Sequence, residues 1–451
     1  MSDLHVAVVG GGLAGLAGAL ACADAGARVT LLEARPRLGG ATWSAPHQGL
    51  EVDNGQHVFL RCCTAYRAFL DRIGAAHLVK LQRRLAIPVV APGGRTAWLR
   101  RSRLPAPLHL APSLARFTHL SWTERLRVAA AARQLAKLDL ADRALDQRSL
   151  GAWLERAGQS PRAIANFWDL VIRPTLNAPA EDASLALSAF VFQTGLLKQA
   201  DAADIGWARV PLARVHAEPA LRTLTELGAQ VATRARVRSI ELEAGSVAGV
   251  RLDGGRIDAD AVILATPHAV AAELLPAESG VDTRALAALP SSPIVNLHMI
   301  WDRPVFRHEF AATVGSPLQW IFDRTRAAGL AGGQYLAISL SAAEEYLGVP
   351  AEALRRRFEP ELRRLFPAAR EAQLAKLFVT SEPAATFRQA PGTGSLRAAT
   401  QTRVAGLYLA GAWTDTGWPA TMEGAVRSGL AAAHALLSAA GRTQRLPRVA
   451  A

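Results

Sequence analysis

Half of the 451 residues are hydrophobic, enough to bury the cores of two or three domains in a globular chain. No run of 18 apolar residues occurs, so no membrane-spanning helix is expected. The three cysteines, Cys22, Cys62 and Cys63, form no C-x-x-C pair and no even set, which argues against a zinc site and a disulfide framework.

Val6, Ala7, Val8 and Val9 have the composition of a buried parallel strand. Gly10, Gly12 and Gly15 follow at G-x-G-x-x-G spacing, and residues 13–25 read as an Ala/Leu-rich helix closed by Gly26. Residues 28–32 read as a second strand ending at Glu33. This strand–turn–helix–strand unit with a terminal acid predicts dinucleotide binding. Glycines permit the tight turn and close backbone approach, the helix start offers N–H groups to phosphate, and the acid accepts from a ribose diol. The unit also explains the apolar start better than a secretion signal does, and a reducing cytoplasm is the expected compartment.

Gly39 and Gly40 mark a loop, and residues 50–59 give a strand, a turn and another apolar run. Residues 64–82 read as a helix with Tyr66, Phe69, Leu70 and Ile73 on one face. Residues 85–99 read as two strands about the Pro92-Gly93-Gly94 turn. Residues 121–138 read as a helix opened by a Ser121/Glu124 capping box. Helical patterning continues to about 215, broken at Pro161 and at 173–179. A helix over 218–228 and strands over 230–233, 236–243, 247–252, 256–257 and 260–267 follow. Residues 294–301, 312–322 and 335–340 suggest a second sheet, followed by helix near 350–366 and strand near 374–380. The chain ends with a strand at 406–411, a helix over 422–437 and a frayed tail. The nucleotide-binding domain is therefore expected to be discontinuous, from 1–65, 216–275 and 396–441. Residues 66–215 and 276–395 form the substrate- or membrane-facing domain, and 442–451 the tail.

The charge is segregated. Residues 61–137 hold fifteen Lys/Arg against two acids, Asp71 and Glu124, and so carry the whole net charge of +13. Such a block fits nucleic acid or an anionic membrane. No nucleic-acid motif and no series of stacking aromatics accompanies it, so the membrane is the expected partner, with a solvated basic face as the alternative.

These motifs resemble the amine-oxidase and phytoene-desaturase superfamily of FAD flavoproteins, most strongly over 6–42, 53–59 and 408–429. The resemblance implies an α/β fold, a Rossmann-like FAD-binding domain with an inserted α+β substrate domain. Within that superfamily D-N-G-Q-H at 53–57, L-N-A-P at 176–179 and the run from Thr414 to Gly429 resemble the hydroxysqualene dehydroxylase branch. Those enzymes of hopanoid biosynthesis remove an allylic hydroxyl to give squalene, with reduced FAD as reductant. The resemblance places Gly10, Gly12, Leu13, Ala14 and Gly15 at the pyrophosphate, and Glu33 and Ala34 at the adenosine ribose. Arg37, Gly39, Gly40, Ala41 and Thr42 continue towards the flavin. Val237 meets adenine through its backbone, and Gly55, Gln56 and His57 lie near the isoalloxazine. Gly411 is also placed at the cofactor, and the helix start at Met422, Glu423, Gly424 and Ala425 at the flavin O2 edge. Two departures stand out: Ala41 where the family commonly has Arg, and Ala412 where it commonly has an acid.

Departure of hydroxide needs a proton donor. Asp53, His57 and Asp415 are the candidates, with a turn, a backbone contact and a cap as their respective structural alternatives. Trp413 and Trp418 are expected to wall the pocket. Trp98, Arg100, Arg101, Leu108 and Phe117 are expected in a monotopic entrance over 98–120, placing the chain on the inner membrane face to take a lipophilic isoprenoid. A homodimer, or contact with other squalene-pathway enzymes, is left open. Alternatives are isoprenoid desaturation, amine oxidation and a non-catalytic FAD-bound scaffold. The four tyrosines lie at 66, 335, 346 and 408, so the C-terminal loop lacks the tyrosines that often flank the flavin in amine oxidases, and no Cys lies there either, so non-covalent FAD is expected.

Overall fold

The computed structural model describes residues 4–442. Its organising element is a five-stranded parallel sheet, in the order 230–233, 28–33, 5–9, 261–264, 407–409. Strand His5–Val9 is central and buried on both sides. Its side chains alternate between two cores, as the period of a strand requires. Val6 and Val8 pack towards helices, while Ala7 and Val9 pack towards the antiparallel meander of Val237–Glu243, Ser246–Leu252 and Gly255–Asp258.

Helix Leu13–Asp24 follows the first strand and ends in a Schellman motif: Ala27 N–H reaches Cys22 O and Gly26 N–H reaches Ala23 O. Gly26, at φ +78°, takes the left-handed position. Across this helix lies the last one, Met422–Ala439. They approach through small residues: a Cβ on Gly429 would stand 2.0 Å from Ala14 O, and one on Gly18 3.2 Å from Gly429 O. Arg442 Nη1 donates to Gly26 O at the far end, so the two helices run in the same direction.

The second large element is a seven-stranded sheet in the order 374–387, 291–301, 334–341, 320–323, 310–313, 86–91, 95–100. All its pairs are antiparallel except 310–313 with 86–91. One face packs on the helices between 111 and 197, and the other on helix Ala351–Leu365 through Leu354, Phe358, Leu362 and Leu365.

Several elements differ from expectation. The helix expected over 64–82 is Thr64–Arg72, because Gly74 (φ +69°) closes a Schellman motif and Val79–Leu81 then forms a strand. Strand Ile205–Ala208 interrupts the helical stretch to pair with 58–60 and 79–81. Pro161 opens a helix at its first position instead of breaking one. The strand expected over 312–322 is two strands, and that near 374–380 extends to Phe387. Strand Ser44–His47, which sequence reading missed, pairs with Leu50–Asp53. Of the expected tail, residues 443–451 lie outside the described residues.

Candidate functional site

The first part of the site is the glycine turn. A Cβ on Gly10 would stand 2.5 Å from Ala265 O, and one on Gly15 1.9 Å from Gly10 O, so strand and helix close together only with glycine. Loop Leu38–Thr42 is strapped across this turn: Gly39 N–H donates to Gly11 O at 2.8 Å, and a Cβ on Gly40 would stand 2.8 Å from Gly12 Cα. Thr42 Oγ1 closes the loop on Gly39 O. No side chain caps helix Leu13–Asp24 at Gly12. The first-turn N–H groups of Leu13, Ala14 and Gly15 and the positive helix end are thus available to an anion. Glu33 ends its strand beside the turn, and its carboxylate accepts from Gly11 N–H and Arg35 N–H, each at 2.7 Å. Ala34 is exposed beside it. Val237 begins the meander next to Arg234 and Ala235, whose N–H groups donate to Arg35 O and Glu33 O. An uncapped helix start, a turn that excludes side chains and a neighbouring acid fit a dinucleotide.

The second part is the C-terminal loop and helix. Thr421 Oγ1 accepts from Gly424 N–H at 3.2 Å and Thr421 O from Ala425 N–H. Of the four residues expected to offer N–H groups, Met422 and Glu423 therefore remain, and Gly424 and Ala425 are already engaged. The Glu423 side chain faces away: its fully buried carboxylate accepts from Ala65 and Tyr66 N–H, at the start of helix Thr64–Arg72, and pairs with Arg427. The loop is organised by Arg397. Its buried guanidinium donates to the carbonyls of Ala412, Trp413, Thr414 and Trp418. Burial pulls that guanidinium below its ordinary pKa, against the pull of Asp415 and Asp146. Gly411 (φ +141°) receives the Trp413 indole, whose Nε1 donates to Thr266 O. Trp413 is thus a core residue packed with Val9 and Leu409, which corrects its expected place in the pocket wall. Trp418 stays half-buried between Phe190, at 5.1 Å, and the Arg427 guanidinium. Asp415 is exposed and closes a local turn on Gly417 N–H, which corrects its expectation as an acid.

The third part is the 53–57 turn. Asp53 is buried, and its Oδ1 accepts from Ser44 Oγ (2.7 Å) and Leu212 N–H (2.9 Å). Its Oδ2 accepts from Arg324 at 2.8 Å, and Arg324 also donates to Ala208 O and Val210 O. With its two oxygens engaged by three donors, one of them a buried cation, Asp53 is an anchor of the turn, which corrects its expectation as the acid. The second sheet clamps the turn from outside: Asn296 Nδ2 and Thr380 Oγ1 donate to Asn54 O. Glu382 accepts from Asn54 Nδ2 and the Trp43 indole, on which Arg37 stacks at 4.1 Å. Ala41 is exposed, and its carbonyl accepts from Asn54 Nδ2. His57 has only the Gly55 carbonyl, 3.4 Å away, and lines a pocket with Gln56, Trp207, Leu212, Phe322 and Arg324. Burial pulls the His57 pKa below its ordinary value, against the pull of Asp53, the Gly55 carbonyl and Glu382. Buried Arg37 Nε and Gln56 Nε2 have no hydrogen-bond partner, and both belong to segments expected at the cofactor.

Of the residues expected at a membrane entrance, two fall inside. Phe117 is fully buried against Phe167 and His119, and Arg101 binds buried Asp204 at 2.6 Å. Arg100 lies exposed over the half-buried Trp98 ring at 3.7 Å, and Leu108 is exposed. Sequence reading missed Arg324, Arg397, Asn296, Thr380 and Glu382, all of which act on segments far away in the chain. No local signal marks them.

Residues 13–437 match the family model for flavin-containing amine oxidoreductases. The chain is 28% identical to the hydroxysqualene dehydroxylase of Zymomonas mobilis, covering 97% of this chain and 100% of that one. It is 29% identical to the enzyme of the same name from Rhodopseudomonas palustris, covering 97% and 99%. With the 15-cis-phytoene desaturase of Glycine max it shares 25% identity, covering 97% and 80%. An oxidoreductase structure from Methanosarcina mazei superimposes with a TM-score of 0.74 at 19% identity, covering 95% and 99%, which shows the same fold. With a family match that begins in the glycine turn and ends in the last helix, the chain belongs to the flavin-containing amine oxidoreductase family.

Proposed function

We propose that this protein binds FAD non-covalently and reductively removes the allylic hydroxyl of hydroxysqualene to give squalene. The observation that carries the reading is the pairing of two helix starts on one side of the molecule. Gly429 packs against Ala14 and Gly18, so the last helix begins about one turn beyond the first along a shared direction. One start suits a pyrophosphate, and the other suits the ring edge where negative charge gathers on reduction. The full-length likeness to hydroxysqualene dehydroxylases supports the choice of substrate.

When bound, reduced FAD supplies a hydride equivalent. Replacing the hydroxyl by hydrogen would need, besides that hydride equivalent, one proton for the departing hydroxide, which would leave as water. The protein's part is to exclude water, position the allylic carbon and deliver the proton. Asp53 is held by three donors and Asp415 stands exposed on a local turn, so we assign delivery to His57, which lines the pocket and has no side-chain partner among the described residues. The negative charges of Asp53 and Glu382 favour its protonated form, against burial.

The test is anaerobic incubation of the reduced holoprotein with hydroxysqualene, following the flavin absorbance and the product together. Squalene is expected to form as the flavin reoxidises. Single-turnover rates should fall as pH rises from 6 to 8, because the His57 pKa lies below about 6.5. His57→Gln should slow the step by about 10²-fold or more and remove that dependence. Reduced, FAD-loaded protein that leaves hydroxysqualene unchanged but dehydrogenates phytoene once reoxidised would replace this reading with desaturation.

A further inference from the structure

Four side chains stand out on the surface. Leu104, Leu108, Trp122 and Leu126 are 46–59% exposed, whereas no other large apolar side chain among the described residues exceeds 41%. They fall within 23 residues of each other. Leu104 and Leu108 sit in a loop closed by hydrogen bonds from Ser102 N–H to His109 O and from His109 N–H to Pro105 O. Trp122 and Leu126 lie one turn apart on helix Trp122–Leu135, facing away from its buried Val128, Ala131 and Leu135. Helix Ala111–Ala115 packs against strand Arg95–Arg100 and helix Trp122–Leu135, and Arg125 Nη1 donates to Ala115 O, so the loop and the helix belong to one local unit.

The cations of this region divide in two. Arg61, Arg72, Lys80 and Arg101 are in ion pairs, and Arg67 donates to the Arg61 carbonyl. The other ten Lys/Arg of residues 61–137 have no carboxylate within 4.0 Å among the described residues; of these, exposed Arg103 and Arg127 adjoin Leu104 and Leu126 in the chain, exposed Arg133 lies two turns beyond Leu126 on the same helix, and exposed Arg116 ends helix Ala111–Ala115. No helix among the described residues is long and apolar enough to cross a membrane.

We propose that Leu104, Leu108, Trp122 and Leu126, rimmed by these unpaired arginines, form a docking surface for an anionic lipid bilayer. Apolar tips and unpaired cations are the combination that binds the headgroup layer, where the side chains leave water and the guanidinium groups meet phosphates. An acidic protein would complement the charge but would leave a leucine-rich loop tip and an outward Trp/Leu pair without purpose. The inference rests on the proposed reaction only for the use of such a surface, which is to reach a substrate dissolved in lipid.

The test is co-sedimentation of the full-length holoprotein with vesicles of equal parts phosphatidylglycerol and phosphatidylcholine, and with phosphatidylcholine alone. Binding is expected to the mixed vesicles, to be weaker to phosphatidylcholine alone, and to fall as salt rises. Leu104→Ser/Leu108→Ser and Trp122→Ser/Leu126→Ser should each weaken it by about tenfold or more. The unaltered protein and both variants should convert detergent-solubilised hydroxysqualene at one rate; failure of the unaltered protein there tells against the reaction and not the surface. Absence of binding to the mixed vesicles, or binding that neither pair of substitutions changes, overturns the proposal. So does equal retention on a soluble polyanion such as heparin with no response to the apolar substitutions.

Discussion

Asp53 and Arg324 are 271 positions apart, yet their side chains meet at 2.8 Å with 4% and 9% of their surfaces exposed. Desolvation makes such a pair a poor source of net stability, but removing one partner strands a charge. Because the remaining bonds reach Ser44, Leu212, Ala208 and Val210, the pair joins the 44–53 hairpin to the start of the 212 helix and to the second sheet. Arg324→Met keeps most of the volume and leaves the Asp53 carboxylate without its cation. It should destabilise the protein by about 3–5 kcal/mol, read from denaturant midpoints at constant slope. A change under about 1 kcal/mol would mean that the Ser44 hydroxyl and Leu212 N–H alone hold the carboxylate.

The decisive contact between elements is that of the first and last helices. Gly429 has no room for a side chain, since the nearest atom to an added Cβ is the backbone oxygen of Ala14 at 2.0 Å, and backbone cannot swing aside. Gly429→Ala must push the helices apart, which overpacks the interface by about 1–3 kcal/mol and shifts one helix start relative to the other. The purified variant should therefore hold less flavin per polypeptide, measured from the ratio of visible to ultraviolet absorbance. Gly254→Ala, where an added Cβ meets nothing within 4 Å, is the control and should retain its flavin. Equal flavin content in both would detach cofactor binding from this helix contact.

At the scale of the whole molecule, burial keeps several imidazoles neutral. Burial, reinforced by nearby His57, pulls the His216 pKa to about 3, and burial with His47 does the same for His298. Each bonds a tyrosine hydroxyl, His216 to Tyr66 at 2.7 Å and His298 to Tyr335 at 2.6 Å. Below the ordinary value of about 6.5 the unfolded chain takes up protons that these folded sites refuse. Stability is thus full above pH 6.5 and is lost as the pH falls towards 3. The two residues together should cost about 4 kcal/mol between pH 7 and pH 5. Asp204 adds a later loss. Burial opposes its ionisation, but bonds from Arg101, Arg61 and Leu85 N–H outweigh that and set its pKa below the ordinary carboxylate range. Its contribution holds above about pH 4 and disappears as the pH falls through the folded value. Urea midpoints measured from pH 7.5 to 5 should show the steeper histidine part, and His216→Gln should reduce the proton uptake on unfolding by about one. An unchanged uptake in that variant would show that His216 is protonated in the fold.

The glycine turn, its helix, both flanking strands and the Ser121/Glu124 cap were legible in the sequence because each depends on neighbours a few residues away. A turn needs its glycine, a helix start its cap and a buried strand its apolar run, wherever the segment finally lies. Which side chains face inwards was not legible. Phe117 and Leu108 are both apolar, and Arg101 and Arg103 both basic, yet one of each pair is held inside while the other stands in solvent. Buried Asp204 captures Arg101, and the helices around Trp168 enclose Phe117. The same holds for Arg324, Arg397 and Glu382, whose partners lie on segments brought together only by packing. Local conformation is set by bonded neighbours, but burial and charge pairing are set by whatever the folded chain places across the gap.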